Sequence, residues 1–154
     1  MLINLALSAV MTLVVVGVHL IGLLLLLHFL RLNAHHVSAR ASRNNLLRQG
    51  SLVLAVALGI FALHGVEIWL YALAYQAIGA FADFPTALYF STATFSTLGY
   101  GDIVLGPQWR LFGAIEGVTG LILIGWSSAF LLSVTSRLRM LEHDWMSGGT
   151  RKRK

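Results

Sequence analysis

Three long apolar runs, over residues 2–30, 51–79 and 109–137, dominate the chain. At about 1.5 Å per residue, a helix formed by any of them is long enough to cross the ~30 Å hydrocarbon core of a bilayer. The 154 residues are 57% hydrophobic and 11% charged, with a mean hydropathy of +0.78, which leaves little sequence for a soluble catalytic or ligand-binding domain. We therefore predict an all-α membrane protein with three transmembrane helices.

Basic residues mark one side of this arrangement. The first helix, predicted over residues 1–31, is followed by a basic loop over residues 32–50, and the third by a basic tail over residues 138–154. Every Lys and Arg except Arg110 then lies on one side, which the positive-inside rule makes cytoplasmic, so the N-terminus is expected outside and the C-terminus inside. Because the basic residues flank apolar helices, we expect anionic lipid as the partner of the loop and tail, and no nucleic acid.

The first helix and the loop each allow a second interpretation. A cleaved signal peptide competes with a retained helix, but no basic segment precedes the apolar run, which is longer than a signal-peptide core, so we expect retention. In the loop, residues 43–49 either lie at the membrane interface with their arginines reaching towards phosphate, or form a solvated linker. The sequence does not decide between these two arrangements of the loop.

Four polar side chains share one face of the second predicted helix: His64, Glu67, Tyr71 and Tyr75. An ionisable group at membrane depth normally points into the protein, where a partner satisfies it. Structural hydrogen bonding to neighbouring elements is therefore the favoured role, and proton sensing and metal binding remain open. The indication of a metal site is weak, because two ligands on one helix do not complete an H-E-x-x-H motif.

A short helix is predicted over residues 85–96, between the second and third apolar runs. At ~18 Å it cannot cross the bilayer, and Asp83 and Pro85 are typical of its start. The next six residues, 97–102, read Thr-Leu-Gly-Tyr-Gly-Asp. Non-helical backbone at membrane depth is tolerated only where it is buried in protein or lines a water-filled path, so this loop is a candidate lining of such a path.

The short helix and its loop resemble the pore of potassium channels, and the resemblance extends over residues 51–137. It implies a re-entrant pore helix and a filter loop between an outer and an inner helix. Four chains are needed for one pore, because the sequence contains no second filter. The resemblance is to a small prokaryotic-type channel with one extra N-terminal helix, which implies a cell-membrane location. The parts of this pore module are the outer helix 51–79, the pore helix 85–96, the filter 97–102 and the inner helix 109–137.

The resemblance gives residues 97–102 the role of a selectivity filter. In such a filter, stacked rings of oxygen atoms from four chains replace the hydration shell of K⁺. Gly99 and Gly101 allow backbone conformations closed to residues with a Cβ, so successive carbonyls can point to one side. The expected ion-binding residues are Thr97, Leu98, Gly99, Tyr100 and Gly101, with K⁺ at the first four.

The chain departs from the family pattern around the filter. Leu98 stands where Val is commonest. This difference is expected to alter the packing behind the filter, and the selectivity of the filter is expected to be retained. Tyr89 and Phe90 replace a frequent pair of Trp residues. The hydroxyl of Tyr100 therefore needs another partner, and Thr94 of a neighbouring subunit is the candidate.

Asp102 also lacks a support that some family members have, because Ala93 occupies a position where they carry a carboxyl group. We hypothesise that the Tyr89 hydroxyl donates a hydrogen bond to Asp102. Glu116, in preference to Glu67, is expected to supply the buried carboxyl group. These residues form the predicted support of the filter.

The third helix resembles the pore-lining inner helix of the family. Gly113, Gly117 and Gly120 form a small-residue face that lets helices approach closely, so packing is their simplest role. The family's inner helix often bends at a glycine, which makes Gly120 or Gly125 a candidate gating hinge. The expected cavity face consists of Ile122, Gly125, Ala129 and Ser133.

These patterns predict a potassium-selective channel and not an enzyme, with K⁺ ions in the filter and no other cofactor. A weakly selective or non-selective cation channel is the alternative. A haem-binding membrane oxidoreductase using His19, His28 or His64 is a remote one, because His19 and His28 are nine residues apart and lie on opposite helix faces. No predicted helix carries an arginine at every third residue, so the usual voltage sensor is not expected. Gating by pH, lipid or membrane tension remains open.

Overall fold

The structure is a computed structural model that describes the backbone of residues 2–34 and 43–148, and the side chains of residues 2–33 and 47–136. Three of its helices are long and apolar enough to cross a membrane, and no strand occurs in the described part of the chain. The predicted all-α membrane fold is therefore confirmed. The helices are α1 (Leu2–Ala34), α2 (Arg43–Ala77), α3 (Phe84–Phe95) and α4 (Arg110–Gly148).

Two helix ends differ from the sequence prediction by more than three residues. Residues 43–50, predicted as the end of the basic loop, form the first turns of α2, and α4 continues through residues 138–148, predicted as part of the tail. The physical reason is that charge ends a membrane span without ending a helix, since Arg, Leu, Gln and Glu are good helix formers in water. The remaining loop and tail residues, 35–42 and 149–154, lie outside the described part of the chain.

The first helix packs along both α2 and α4. A Cβ added to Gly22 of α1 would lie 2.5 Å from Leu63 of α2, and one added to Gly59 of α2 would lie 2.5 Å from Leu26 of α1. In each helix, a glycine thus lies against a leucine of the other helix, which lets the two backbones approach closely. These reciprocal contacts seat α1 against the rest of the chain.

The short helix α3 lies between α2 and α4, as predicted. The carboxylate of Asp83 accepts hydrogen bonds from the Thr86 amide at 2.9 Å and the Thr86 hydroxyl at 2.8 Å, and Pro85 occupies the first turn. This cap satisfies an amide that has no partner within the helix and confirms the predicted helix start. With 12 residues, α3 is too short to cross the layer formed by the three long helices.

The glycine face of α4 lies against α3 and the loop that follows it. A Cβ on Gly120 would lie 2.9 Å from the Phe95 Cα and carbonyl carbon, and closer still to the carbonyl oxygen. A Cβ on Gly117 would lie 3.5 Å from the Thr94 carbonyl oxygen, whereas one on Gly125 would meet nothing within 4 Å. Close packing therefore accounts for Gly120, and its role as a hinge, like that of Gly125, stays a prediction.

Candidate functional site

The candidate site begins where α3 ends and the chain turns into the loop 97–102. The Thr97 amide donates to the Thr94 carbonyl, and the Gly99 amide donates to the Ala93 carbonyl, both at 3.0 Å. These two hydrogen bonds tie the start of the loop to the C-terminal end of α3. The loop is thereby placed directly beyond the carbonyl end of the helix, where the helix dipole favours a cation.

The backbone of the loop alternates in the sign of φ. Thr97, Gly99 and Gly101 have φ values of +61°, +56° and +76°, whereas Leu98 and Tyr100 have negative φ. The positive φ expected at Gly99 and Gly101 is confirmed by these values. Sequence reasoning missed the conformation of Thr97, because a β-branched residue with positive φ is rare and costs about 1–3 kcal/mol.

The loop is uncovered in the single chain. Leu98 is 59% exposed and Tyr100 is 69% exposed, although both side chains are largely apolar. On α4, the predicted cavity face is also exposed, on the side opposite the buried Leu123 and Ser127. The described chain thus leaves positions uncovered both in the loop and along α4: Leu98, Tyr100, Ile122, Gly125, Ala129 and Ser133.

Asp102, at the end of the loop, is held by two donors. The Tyr89 hydroxyl donates to its Oδ2 at 2.7 Å, which is the hydrogen bond predicted from the sequence, and the Ile103 amide donates to its Oδ1 at 3.0 Å. The Tyr89 bond is the main cause that lowers the pKa of Asp102, and the same bond raises the pKa of Tyr89. The two residues link the end of the loop to α3.

A buried carboxyl group lies behind α3. Glu116 of α4 accepts hydrogen bonds from the Tyr75 hydroxyl of α2 and, at 2.5 Å, from the Ser91 hydroxyl of α3. All three side chains are buried, so Glu116 joins three helices at one point. Glu116 is buried, as predicted, whereas its support of the filter stays a prediction, and sequence reasoning missed both Tyr75 and Ser91 as its partners. A hydrogen bond between Tyr100 and Thr94 of a neighbouring subunit stays a prediction.

Glu67 belongs to a second polar cluster and does not contact this site. Its two oxygens pair at 2.7 Å with Nδ1 of His19 on α1 and with Nδ1 of His64 on α2. The two imidazole rings are stacked with their centroids 5.5 Å apart, which leaves no space for a haem between them. His28 is exposed, far along α1 from this cluster. The cluster is a candidate metal site, because its three side chains each offer a ligand atom within 4.8 Å of the others.

A comparison with protein families matches residues 53–137, more than half of the chain, to the family described as Ion channel. The chain belongs to this family. Its matched segment is a channel domain of the potassium-channel type with two transmembrane helices, and it contains α3, the loop and most of the spans of α2 and α4. The first helix of this ion channel protein lies outside the matched segment. Comparisons with curated proteins and with solved structures give no significant match.

Proposed function

We propose that this ion channel protein is a potassium-selective channel that conducts K⁺ passively through a homotetrameric pore, with the loop 97–102 as its filter. The observation that carries the proposal is the alternation of φ at Thr97, Gly99 and Gly101, directly beyond the C-terminal end of a helix too short to span the bilayer. This combination supplies both a lining of oxygen atoms and a favourable dipole for a cation.

The alternating backbone gives the loop its cation-binding chemistry. When φ changes sign at every residue, successive peptide planes turn the same way, and a row of carbonyl oxygens can face one axis. Four such rows replace the water that K⁺ loses on entering a narrow path. The carbonyls of residues 97–100 and the Thr97 hydroxyl are the proposed K⁺ ligands, and Gly101 completes the turn of the loop.

The uncovered positions support a pore of four chains. Non-helical backbone at membrane depth must be buried in protein or face a water-filled path, and one chain leaves the loop uncovered. Closed symmetry around an axis provides both conditions, because neighbouring chains cover Leu98 and Tyr100 and the axis supplies the path. In this assembly Ile122, Ala129 and Ser133 line the cavity below the filter, and Gly125 is free to act as a hinge.

The proposed orientation follows the charges at the helix ends. The N-terminus and the filter entrance face outwards, and the Arg-rich ends of α1, α2 and α4 face the cytoplasm, as in a prokaryotic cell membrane. Anionic lipid headgroups are the proposed partners of the basic residues there. Within the described side chains, Arg31 and Arg48 lie at this boundary.

The test is K⁺ flux into liposomes that contain the purified protein. The parent protein is expected to conduct K⁺, and Gly99→Ala is expected to abolish the flux, because a Cβ disfavours the positive φ of the filter backbone. Gly17→Ala is the matched control, since a Cβ there meets nothing within 4 Å and the residue lies in α1. Equal flux through the parent and Gly99→Ala would refute the filter assignment.

Selectivity and assembly need separate measurements. The reversal potential in unequal K⁺ and Na⁺ is expected to follow the K⁺ gradient. A reversal potential that does not follow the K⁺ gradient would identify a non-selective channel instead. Leu98 would then be the first residue to mutate. Native mass spectrometry is expected to give the mass of four 16.8 kDa chains, and a mass of one or two chains would contradict the proposed pore.

A further inference from the structure

The cluster of His19, Glu67 and His64 is a polar site at which ionisable side chains join α1 to the matched channel domain. His19 and Glu67 are fully buried, and the side chain of His64 is 15% exposed. Each carboxylate oxygen of Glu67 lies 2.7 Å from Nδ1 of a different imidazole. Three ionisable side chains are thus gathered in an apolar helical layer, where ionisable groups are costly and usually functional.

We propose that this cluster is a binding site for a divalent transition metal of the Zn²⁺ class. Two imidazoles and one carboxylate are a donor set that suits Zn²⁺, Cu²⁺, Ni²⁺ or Fe²⁺, whereas Mg²⁺ and Ca²⁺ prefer oxygen ligands throughout. Three protein ligands leave one position of a tetrahedral site for water or hydroxide. The negative carboxylate offsets part of the charge of the metal in this apolar layer.

The distances require only a small adjustment for a metal to enter. Ligand atoms around a tetrahedral zinc ion lie about 3.3 Å apart, given bonds of about 2.0–2.1 Å. The two nitrogen–oxygen separations are 2.7 Å, each to a different carboxylate oxygen of Glu67, and one ligand atom from each of the three residues lies within 4.8 Å of the others. Rotations of these side chains can bring one ligand atom of each residue to the spacing of a tetrahedral site. His64 and Glu67 are one helical turn apart, so α2 presents two ligands from one rigid element.

The surroundings also suit a metal-bound imidazole. Coordination through Nδ1 requires each imidazole to carry its proton on Nε2, and a ligating histidine normally donates that proton to a nearby oxygen. The Ser127 hydroxyl of α4 lies 3.5 Å from Nε2 of His19 and can accept it. In the metal-free form the same hydroxyl can instead donate to Nε2, so Ser127 has a partner in both forms.

A metal in this position would clamp α1 to α2 next to two other elements of the channel domain. The His64 ring lies 5.7 Å from the Phe95 ring at the end of α3, and the His19 ring lies 5.4 Å from the Trp126 ring of α4. Binding is therefore expected to stabilise the packing of all four helices. The proposal does not depend on conduction, because metal binding and thermal stability are measurable without ion flux.

The experiment uses the untagged full chain in detergent micelles, stripped with a chelator. Zn²⁺ is expected to bind one per chain in calorimetry and to raise the thermal unfolding temperature, and Mg²⁺ at the same concentration is expected to do neither. His19→Gln and Glu67→Gln are expected to weaken Zn²⁺ binding by at least tenfold. His28→Gln is the matched control, because His28 is an exposed histidine of the same helix, and it should bind Zn²⁺ like the parent.

Co²⁺ provides a readout that needs no variant. Loaded into the parent chain, Co²⁺ is expected to give the visible absorption bands of a four- or five-coordinate histidine site. The proposal is overturned if the parent binds no Zn²⁺, if His19→Gln and Glu67→Gln bind it as tightly as His28→Gln, or if bound Co²⁺ shows only the weak spectrum of an octahedral aqua ion.

Discussion

The close approach of α4 to the end of α3 makes Gly120→Ala the sharpest test of the packing beneath the filter. A Cβ at this position would lie 2.9 Å from the Phe95 Cα and carbonyl carbon, with the carbonyl oxygen closer still. These are backbone atoms, so no side-chain rotation relieves the overlap. The two helices must separate by about 1 Å or more to restore ordinary contact distances.

The expected magnitude combines two opposing terms. Overpacking of this kind costs about 1–3 kcal/mol, whereas replacing glycine by alanine inside a helix gains about 1 kcal/mol. Gly120→Ala is therefore expected to destabilise the chain by up to about 2 kcal/mol, which corresponds to a fall of up to about 8 °C in the unfolding temperature. Phe95 is two residues before Thr97, so the separation also displaces the start of the loop and is expected to reduce K⁺ flux.

Two other glycines of α4 complete a graded series. A Cβ on Gly117 would be in ordinary contact, 3.5 Å from the Thr94 oxygen, and one on Gly125 would meet nothing within 4 Å. Thermal unfolding should rank Gly125→Ala at or above the parent, Gly117→Ala close to it, and Gly120→Ala lowest. An unfolding temperature and flux of Gly120→Ala equal to those of Gly125→Ala would refute the reasoning.

Three further predictions concern hydrogen bonds around α3. Tyr89→Phe removes the bond that lowers the pKa of Asp102. The free energy of unfolding of this variant should be lower than that of the parent at neutral pH. The difference should shrink as pH falls below the usual carboxyl pKa of 3.8, because the ionised form that the bond stabilises is then lost. Ser91→Ala removes one buried donor from Glu116 and is expected to cost about 1–3 kcal/mol in chemical denaturation, whereas an unchanged midpoint would show that Glu116 does not brace α3. Asp83→Ala removes the N-cap and should cost about 0.5–2 kcal/mol, with Asp83→Asn losing less; equal losses from both would argue against capping.

Local patterns in the sequence were enough to predict much of this site. Asp83 and Pro85 mark the start of α3, because a cap depends on residues three positions apart. The Tyr89–Asp102 bond was predictable because its partners lie 13 residues apart across one short helix and loop. Gly99 and Gly101 likewise indicate positive φ by residue type alone.

Contacts between distant segments were not predictable in the same way. His19 meets Glu67 across 48 residues, and no periodicity within α1 indicates which face of α2 it will meet. The pairing of Gly22 with Leu63 also depends on how the two helices cross. The helix ends were misplaced for a different reason, because hydropathy detects where the lipid ends and not where the backbone stops being helical.

The bond between His19 and Glu67 makes the channel domain depend on α1. Glu67 belongs to the matched channel domain, whereas His19 belongs to a helix outside it. Deleting α1 would leave a carboxylate at membrane depth with only His64 to meet it, and an incompletely paired charge in that position is costly. Deletion of α1 is therefore expected to destabilise the channel domain, and the loss should be smaller when Glu67 is also replaced by Gln. The first helix is in this sense a structural requirement of the domain that it contacts.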